Sequence, residues 1–287
     1  MKLFITIGIL LLSLQGMAQQ DSTAVVDSTE PVKSTFTIGA TYVNNADYYG
    51  QKSVEKMPYV AAAAVFHHKS GLYVTGMAYR LLNDSQRVVS ASALGLGFTK
   101  DIGKRFNLDL SYSHTFYPAL SPFLQAANAN NANLGITYTN WLAVSAEVDY
   151  AFGKTNDVFV TAGLSKLISL GSITPKDLVT LQPSAKVTAG TQRFYETYVT
   201  EKNIRDSILG VIPIPPIIGQ PGTEPTITTT VSSSFDLLSY NFKLPLAYNR
   251  AHYMVELAYQ LSLLSEQAQT GAGKLNSFIS ASFYYQF

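Results

Sequence analysis

Apolar and small polar residues alternate along the last segment of the chain, residues 275–287. Ile279 and Phe283 share one parity, whereas Asn276 belongs to the other. Because successive side chains of a β-strand point to opposite faces, this alternation predicts a strand with one apolar and one mostly small polar face. Such a strand, ending on the aromatic Phe287, is typical of a membrane β-barrel.

The same period-two alternation recurs from residue 34 onward, in segments of about ten residues that turns separate. Residues 106–117 form the clearest internal example, with Leu108 and Leu110 against Asp109 and Ser111. The predicted strands are 34–44, 58–67, 71–82, 88–99, 106–117, 133–139, 142–152, 157–168, 179–191, 235–248, 252–262 and 275–287. This pattern predicts an all-β chain that forms a single antiparallel transmembrane β-barrel of about 12 strands, in which segment 275–287 pairs with segment 34–44.

The connectors support the barrel because short and long ones nearly alternate, as turns and loops on opposite membrane sides should. The short connectors are 68–70, 100–105, 140–141 and 249–250, and the long ones are 45–57, 118–131, 192–234 and 263–274. Two connectors depart from this order: 153–156 is short for an outer loop, and 169–177 is long for an inner turn. The register of strands eight and nine is therefore left open.

A soluble β-sandwich is the competing architecture, since it also consists of short alternating strands. Its strands would be nearer five or six residues long, and their outer faces would carry Lys, Glu and Thr. The polar face of the predicted strands here consists of Ser, Gly, Ala and Asn instead. This favours the barrel.

Composition agrees with a membrane barrel of strands. The chain is 47% hydrophobic and only 14% charged, against about 25% charged residues in soluble domains. After the first twenty positions no apolar run is long enough for a transmembrane helix. The chain has no Cys, which excludes disulfides and thiolate chemistry, and its net charge of +1 provides no basic field for nucleic acid.

The N-terminus has the pattern of a cleaved secretory signal peptide. Lys2 precedes an apolar core at 4–14, and Gly16-Met17-Ala18 places small residues before a cleavage site after Ala18. An N-terminal membrane anchor is the alternative, but this core is too short to span a bilayer. The predicted organisation is a signal peptide at 1–18, a flexible polar periplasmic lead-in at 19–33 and the barrel at 34–287.

Together, these features resemble the outer-membrane β-barrel proteins of Gram-negative bacteria. The Met-Ala-Gln-Gln cleavage region and the Tyr-rich strands are similar to barrels of Bacteroidota. The resemblance implies a bacterial outer-membrane location with membrane lipid as a partner. It also implies that Phe283, Tyr285 and Phe287 belong to a C-terminal signal read by the barrel-assembly machinery.

The sequence does not match the catalytic residue patterns of two classes of outer-membrane enzyme. Outer-membrane phospholipases are expected to carry a His-x-Ser arrangement, which places both side chains on one strand face. Ser113 and His114 are adjacent instead and so point to opposite faces. Aspartyl proteases of this membrane use paired acids and a His–Asp pair. Asp47, Asp84 and Asp157 lie near loops without a matching His.

The four histidines are scattered along the chain at positions 67, 68, 114 and 252. Three of them lie near predicted periplasmic ends, where a place at the membrane interface is the simpler interpretation. We therefore predict no catalytic site, no cofactor and no metal site.

Charged residues within the predicted strands should face the lumen, because Arg or Lys on the lipid face would cost about 2–4 kcal/mol at mid-membrane. The predicted lumenal charges are Arg80, Asp109, Glu147, Asp149, Lys186, Lys243 and Glu256. They form either a salt-bridged structural interior or a narrow polar channel. Four acids against three bases favour neither ion sign.

The longest predicted loop contains a segment rich in Pro and Ile, residues 208–225, which is expected to be extended, stiff and apolar. It could contact a partner or lipid headgroups, fold inward, or pack on the barrel rim, which we favour. The first functional hypothesis is a passive pore for small solutes. The alternative is a structural or surface-interaction barrel working through its loops, and a lipid-acting enzyme is a distant third.

Overall fold

The computed structural model describes residues 33–52, 56–84, 87–118, 121–192, 235–266, 268 and 275–287. The predicted signal peptide, nearly all of the lead-in and segment 208–225 lie outside these residues. The strands are β1 Thr35–Val43, β2 Tyr59–His67, β3 Leu72–Leu81, β4 Ala91–Ile102, β5 Phe106–Phe116, β6 Asn130–Thr139, β7 Ala143–Phe152, β8 Asn156–Ser165, β9 Ile168–Gly171, β10 Asp177–Leu181, β11 Ser184–Gly190, β12 Asp236–Arg250, β13 Tyr253–Leu264 and β14 Leu275–Gln286. One short 3₁₀ helix, Leu124–Ala127, lies between β5 and β6.

The described strands form one antiparallel sheet that closes on itself. Consecutive strands pair from β1 to β8, β8 pairs with β11, and β11 pairs with β12. The chain ends meet where β1 pairs with β14, with Ile38 opposite Tyr285 and Ala40 opposite Phe283. Closure removes both sheet edges. The predicted all-β barrel with a wall of twelve strands, and the predicted pairing of its first and last segments, are therefore confirmed.

The two strands whose register the sequence left open form one long hairpin with a break in each arm. β8 and β9 make up the first arm, and β10 and β11 make up the second. Along β12, β10 pairs with residues 246–250 and β11 continues the pairing from Lys243. Pro183 lies in the break between them, where its lack of an N–H removes one ladder bond. Residues 169–177 are thus not one long turn, because β9 and β10 occupy 169–171 and 177 and the connection is only 172–176.

The two ends of the barrel differ in their connections. One end, here the turn end, joins strands through 68–71, 103–105, 140–142, 172–176 and 251–252. At the opposite end, here the loop end, the connections between β1 and β2, β3 and β4, β5 and β6, and β13 and β14 start and finish. The short connection 153–155 also lies at the loop end, where the Gly153 N–H donates to the Thr155 carbonyl. The unusual short outer loop predicted there is therefore present.

The outward face of the wall is a belt of apolar side chains. Leu110, at the middle of β5, leaves 55% of its surface exposed and is flanked by Phe98 and Leu134 on the neighbouring strands. At the chain end, Phe283 and Phe287 also face outward, and the Phe287 ring lies 5.9 Å from that of Phe36. The predicted outward face of β14 is confirmed. Among the described residues, no helix is long and apolar enough to cross a membrane.

On β3, the predicted orientation is wrong. Tyr73, Met77 and Tyr79 are buried in the lumen, whereas Arg80 is exposed on the outward parity. Both faces of β3 carry apolar residues, so an apolar stripe alone does not identify its lipid side. The inward stripe packs into an interior apolar cluster that alternation along one strand does not reveal.

On β12, Leu238 has the same parity as the outward Tyr240 but does not share its orientation. The β11–β12 pairing shifts between Thr188 and Ala189, so Ala189 is opposite Leu237 rather than Leu238. This bulge inserts one residue on β12, and Leu238 becomes fully buried inside the barrel.

Candidate functional site: the lumen and its inward-folded loop

The loop between β1 and β2 folds into the lumen instead of extending away from the barrel. Tyr48, Tyr49 and Gln51 at its tip are almost completely buried. The backbones of Tyr48 and Gln51 exchange two hydrogen bonds of 2.8 and 3.1 Å, which close the tip as a tight turn. We call residues 44–52 the lumenal loop.

Three side chains on β12, β13 and β14, the strands beside β1 in the wall, hold this loop in place. The Ser239 hydroxyl donates to the Tyr49 carbonyl at 2.6 Å, and the Asn276 amide donates to the Gly50 carbonyl at 2.8 Å. The Gln260 amide donates to the Asp47 carboxylate at 2.9 Å. These donors lie on β12, β14 and β13, so they hold the loop against the part of the wall next to its own first strand, β1.

Gly50 is required at the tip by its backbone and by the space around it. Its φ is +82°, in the left-handed region that favours glycine. A Cβ built there would lie 2.7 Å from Asn241 Oδ1 and 2.9 Å from Ser262 Cβ. The wall therefore leaves no room for a side chain at this position.

Aromatic packing seals the loop against the opposite side of the barrel. The Tyr49 ring stacks on Phe159 of β8 with a centroid distance of 3.9 Å, and Tyr48 contacts the same ring edge-on at 5.8 Å. Burial, reinforced by nearby carboxylates such as Asp149 for Tyr49, raises the pKa of both phenols well above the usual value. Both tyrosines are therefore neutral at physiological pH.

The loop between β5 and β6 adds a second inward segment. Phe123 and Ala127 are buried, and Phe123 joins an apolar cluster with Tyr79 and Leu81. At its end, the Asn128 amide donates to Asp157 at 2.7 Å. Asp157 also accepts hydrogen bonds from the Thr155 and Thr191 hydroxyls, so one buried carboxylate ties together three loop-end segments.

Charged groups line the lumen below these loops. Lys186 Nζ on β11 lies 2.7 Å from Glu147 Oε1 on β7, although β8 runs between the two strands. The lysine crosses β8 over Gly163, where a Cβ would lie 3.1 Å from Lys186 Cγ. This pair joins two of the predicted lumenal charges.

A second, looser ion pair joins Lys243 on β12 to Glu256 on β13, with 3.8 Å between Nζ and Oε1. The side chains of Lys186 and Lys243 keep 15% and 12% of their surface accessible to solvent. Open space therefore lies beside both lysines in the middle of the barrel.

The two other lumenal acids are held by neutral donors. The Tyr73 hydroxyl lies 3.0 and 3.1 Å from the two oxygens of Asp109. The amides of Asn131 and Asn133 both donate to Asp149 Oδ1, at 3.1 and 2.9 Å. These hydrogen bonds to Asp149 therefore come from amides and not from a base.

Tyr73 reaches Asp109 only because Gly97 lies beneath its ring, as a Cβ at Gly97 would come within 2.3 Å of Tyr73 Cζ. We expect Gly97→Ala to displace the ring and to lower the free energy of unfolding by about 1–3 kcal/mol. Urea titration of the protein in detergent or lipid measures the loss. Gly76→Ala is the matched control, because its Cβ would meet only Leu94 Cδ2 at 3.8 Å. Equal stability of the two variants would contradict the prediction.

Six of the seven predicted lumenal charges face the interior, and Arg80 does not. Asp109, Glu147, Asp149 and Glu256 are buried on the inward face, and Lys186 and Lys243 share it. Arg80 lies near the loop end on the outward face of β3, so its predicted lumenal position is wrong. Near a membrane border a long Arg side chain can extend to water, which makes an outward position tolerable.

The residues considered for catalysis are not brought together. Ser113 is buried on the inward face, whereas His114 is half-buried on the outward parity and lies 2.8 Å from Asn130 Oδ1. Asp47 and Asp157 are used to hold loops, as described above. Asp84 is half-buried in the β3–β4 connection.

The histidines are also separate from one another except for the adjacent pair at 67 and 68. His67 stacks on Tyr73, His68 contacts the Ser70 hydroxyl at 2.8 Å, and His252 Nδ1 lies 3.3 Å from the Gln286 carbonyl oxygen. In the described part of the chain, no group of three His, Cys, Asp or Glu residues could hold a metal ion.

The lumenal loop is the functional element that sequence reasoning missed. Its local signal is Asp47-x-x-Gly50, in which the Asp47 carboxylate accepts from the Gly50 N–H at 2.7 Å. This Asp-to-Gly spacing predicts a tight turn. The turn's position inside the barrel depends on donors 190 or more residues away in the sequence.

No family model matches this chain, and no curated protein matches it. Among solved structures, the KdgM porin has a TM-score of 0.48 at 8% identity, covering 88% of this chain and 99% of that chain. An outer membrane channel from Pseudomonas putida F1 has a TM-score of 0.46 at 13% identity, with coverages of 91% and 100%. LpxR from Salmonella typhimurium has a TM-score of 0.46 at 8% identity, with coverages of 88% and 99%. The function is therefore argued from the residues of this chain.

Proposed function

We propose that this protein is a bacterial outer-membrane barrel that conducts small solutes through a lumen narrowed by its lumenal loop. The observation that carries the proposal is the solvent-accessible, charged middle of the barrel, with Lys186 and Lys243 facing Glu147 and Glu256. Buried ion pairs contribute little net stability compared with apolar packing. A passage for polar solutes, in contrast, uses charged groups that face the permeating species.

The membrane location rests on the outward belt around a closed sheet. Side chains such as Leu110, Leu134 and Leu257 leave about half of their surface exposed on the wall. In water, so large an apolar surface would drive aggregation. In lipid it is stabilising, and the closed barrel leaves no unpaired strand edge in the hydrocarbon.

Phe283, Tyr285 and Phe287 serve, in this proposal, as the signal that the barrel-assembly machinery reads. They lie on the outward face of the last strand, with the Tyr285 and Phe287 rings 4.7 Å apart. An outward aromatic row is open to a partner before β14 has paired with β1. The removed signal peptide at 1–18 and the periplasmic lead-in at 19–33 complete the proposed route to the outer membrane.

Planar-bilayer recording of the refolded mature chain tests the pore. We expect small single-channel steps, because Tyr48 and Tyr49 fill much of the lumen at the level of Phe159. Correct folding is checked independently by the change in electrophoretic mobility on heating. Folded protein that inserts into the bilayer without channel events at any voltage would remove the pore proposal.

A structural or surface-interaction barrel that works through its loops is the second candidate. It is favoured by the closure of the loop end, where both the lumenal loop and Phe123 are buried inside the wall. An absence of conductance in the same experiment would support this candidate. A lipid-acting enzyme remains the least favoured possibility, since Ser113 and His114 lie on opposite faces of β5.

A further inference from the structure

The lumen wall carries more negative than positive charge once Arg80 is placed outside. The six inward positions comprise four acids, Asp109, Glu147, Asp149 and Glu256, and two bases, Lys186 and Lys243. Farther toward the loop end, Asp47 and Asp157 are also inside the wall, and half-buried Lys52 is the nearest base along the lumenal loop. The excess of acids therefore extends through both halves of the passage.

The acids are concentrated on one side of the lumen. In the strand register, Asp109 and Glu147 are both opposite Gly135, so the two carboxylates are at one level on β5 and β7. A Cβ at Gly135 would be in ordinary contact with both neighbours, at 3.7 Å from Glu147 Cγ and 4.0 Å from Asp109 Cβ. Glycine thus leaves an open recess between two acidic side chains. Asp149 lies one step nearer the loop end on the same face of β7.

Ion pairs with lysine neutralise only part of this negative charge. Lys186 pairs with Glu147 and Lys243 with Glu256. Asp149 accepts hydrogen bonds from two amides, which orient a carboxylate without cancelling its charge. The β5–β7 side of the lumen is consequently an acidic wall.

Asp149 lies on this acidic wall beside Tyr49 of the lumenal loop. It is only 1% exposed, its Oδ1 accepts from the amides of Asn131 and Asn133, and the Tyr49 hydroxyl is a further neutral donor beside it. Asn131 Oδ1 is buried without a hydrogen-bond partner among the described residues, and this atom is an acceptor because the Asn131 amide nitrogen donates to Asp149. A carboxylate held by neutral donors, next to a second buried acceptor, suits a species that carries donors or positive charge.

We infer that the passage prefers small cations over anions and that Asp149 is its main selectivity residue. This inference rests on the proposed pore function. In a narrow passage of low dielectric, fixed carboxylates lower the energy of a cation and raise that of an anion. The ligand chemistry is that of a hydrated alkali-metal ion or a small ammonium compound.

Reversal potentials of the refolded chain in asymmetric KCl test the inference. We expect K⁺ to be more permeant than Cl⁻ by about threefold or more, the effect of an uncompensated lumenal charge in a narrow passage. Asp149→Asn keeps the size of the side chain and its acceptor for Asn131 and Asn133. It is expected to bring the permeability ratio toward unity.

The matched pair Lys243→Gln and Arg80→Gln distinguishes lumenal charge from total charge. Each variant removes one positive charge, but only Lys243 faces the lumen. Lys243→Gln should increase the preference for K⁺, and Arg80→Gln should leave it unchanged. A non-selective or anion-selective wild type, or an unchanged ratio in Asp149→Asn, would overturn the inference while leaving the pore intact. The absence of all channel events would instead overturn the pore, and the inference with it.

Discussion

Replacing residues 46–52 with Gly-Ser-Gly is expected to raise the single-channel conductance at least about threefold, because a barrel of this strand number can hold an aqueous channel once its interior is emptied. The replacement removes Tyr48, Tyr49 and Gln51 from the lumen. It also removes the contacts of the loop with Ser239, Gln260 and Asn276 but leaves every strand of the wall in place. The measurement is planar-bilayer recording beside the wild type.

A smaller change tests the same idea without shortening the chain. Gly50→Ala places a Cβ 2.7 Å from Asn241 Oδ1, so the lumenal loop cannot keep its position against the wall. Because the displaced loop fills less of the lumen, the single-channel conductance should rise. Gly103→Ala is the matched control, since Gly103 also has a positive φ, +66°, but its Cβ would meet nothing within 4 Å. The two substitutions impose similar backbone strain, and only one is inside the lumen. Unchanged conductance in a folded loop-replacement variant would contradict the role of the loop as the constriction.

The second large effect is expected at the ion pair that crosses β8. Glu147→Ala leaves the Lys186 ammonium largely buried without its carboxylate, and such losses destabilise proteins by about 3–5 kcal/mol. We therefore expect a marked fall in the free energy of unfolding, measured by urea titration of the barrel in lipid vesicles. The ion pair has a distance of 2.7 Å, with the Glu147 side chain only 7% exposed.

A double-mutant cycle separates this pairing from simple loss of side-chain volume. Glu147→Ala combined with Lys186→Ala removes both charges, so the double variant should be less destabilised than the sum of the single variants predicts. The difference is the coupling free energy of the pair. Strict additivity would show that the two groups do not interact in the folded barrel.

Most of the wall could be predicted from the sequence because strand alternation is a local property. In β14, Ile279 and Phe283 face outward while Asn276 and Ser282 face inward, as the period of two requires. The pairing of β14 with β1 also follows from the pattern, since a membrane barrel must satisfy both of its edges.

The orientation of β3 could not be predicted in the same way. Its inward residues Tyr73, Met77 and Tyr79 are as apolar as a lipid-facing stripe. The apolar stripe of an individual strand identifies the lipid side only when the lumen is polar at that level. Near the loop end, the lumen is filled by an apolar cluster that includes Phe123 from a distant loop.

The sequence by itself determined the architecture of this protein: an all-β chain, a closed barrel, short turns at one end and an outward apolar belt. These features follow from residue spacing within each strand and from the need to pair every backbone group in lipid. Only the tertiary structure decided that the lumenal loop enters the barrel, that Lys186 reaches Glu147 over Gly163, and that Arg80 stays outside. Those outcomes depend on side chains from strands far apart in the sequence, and the period of a single strand contains no information about them.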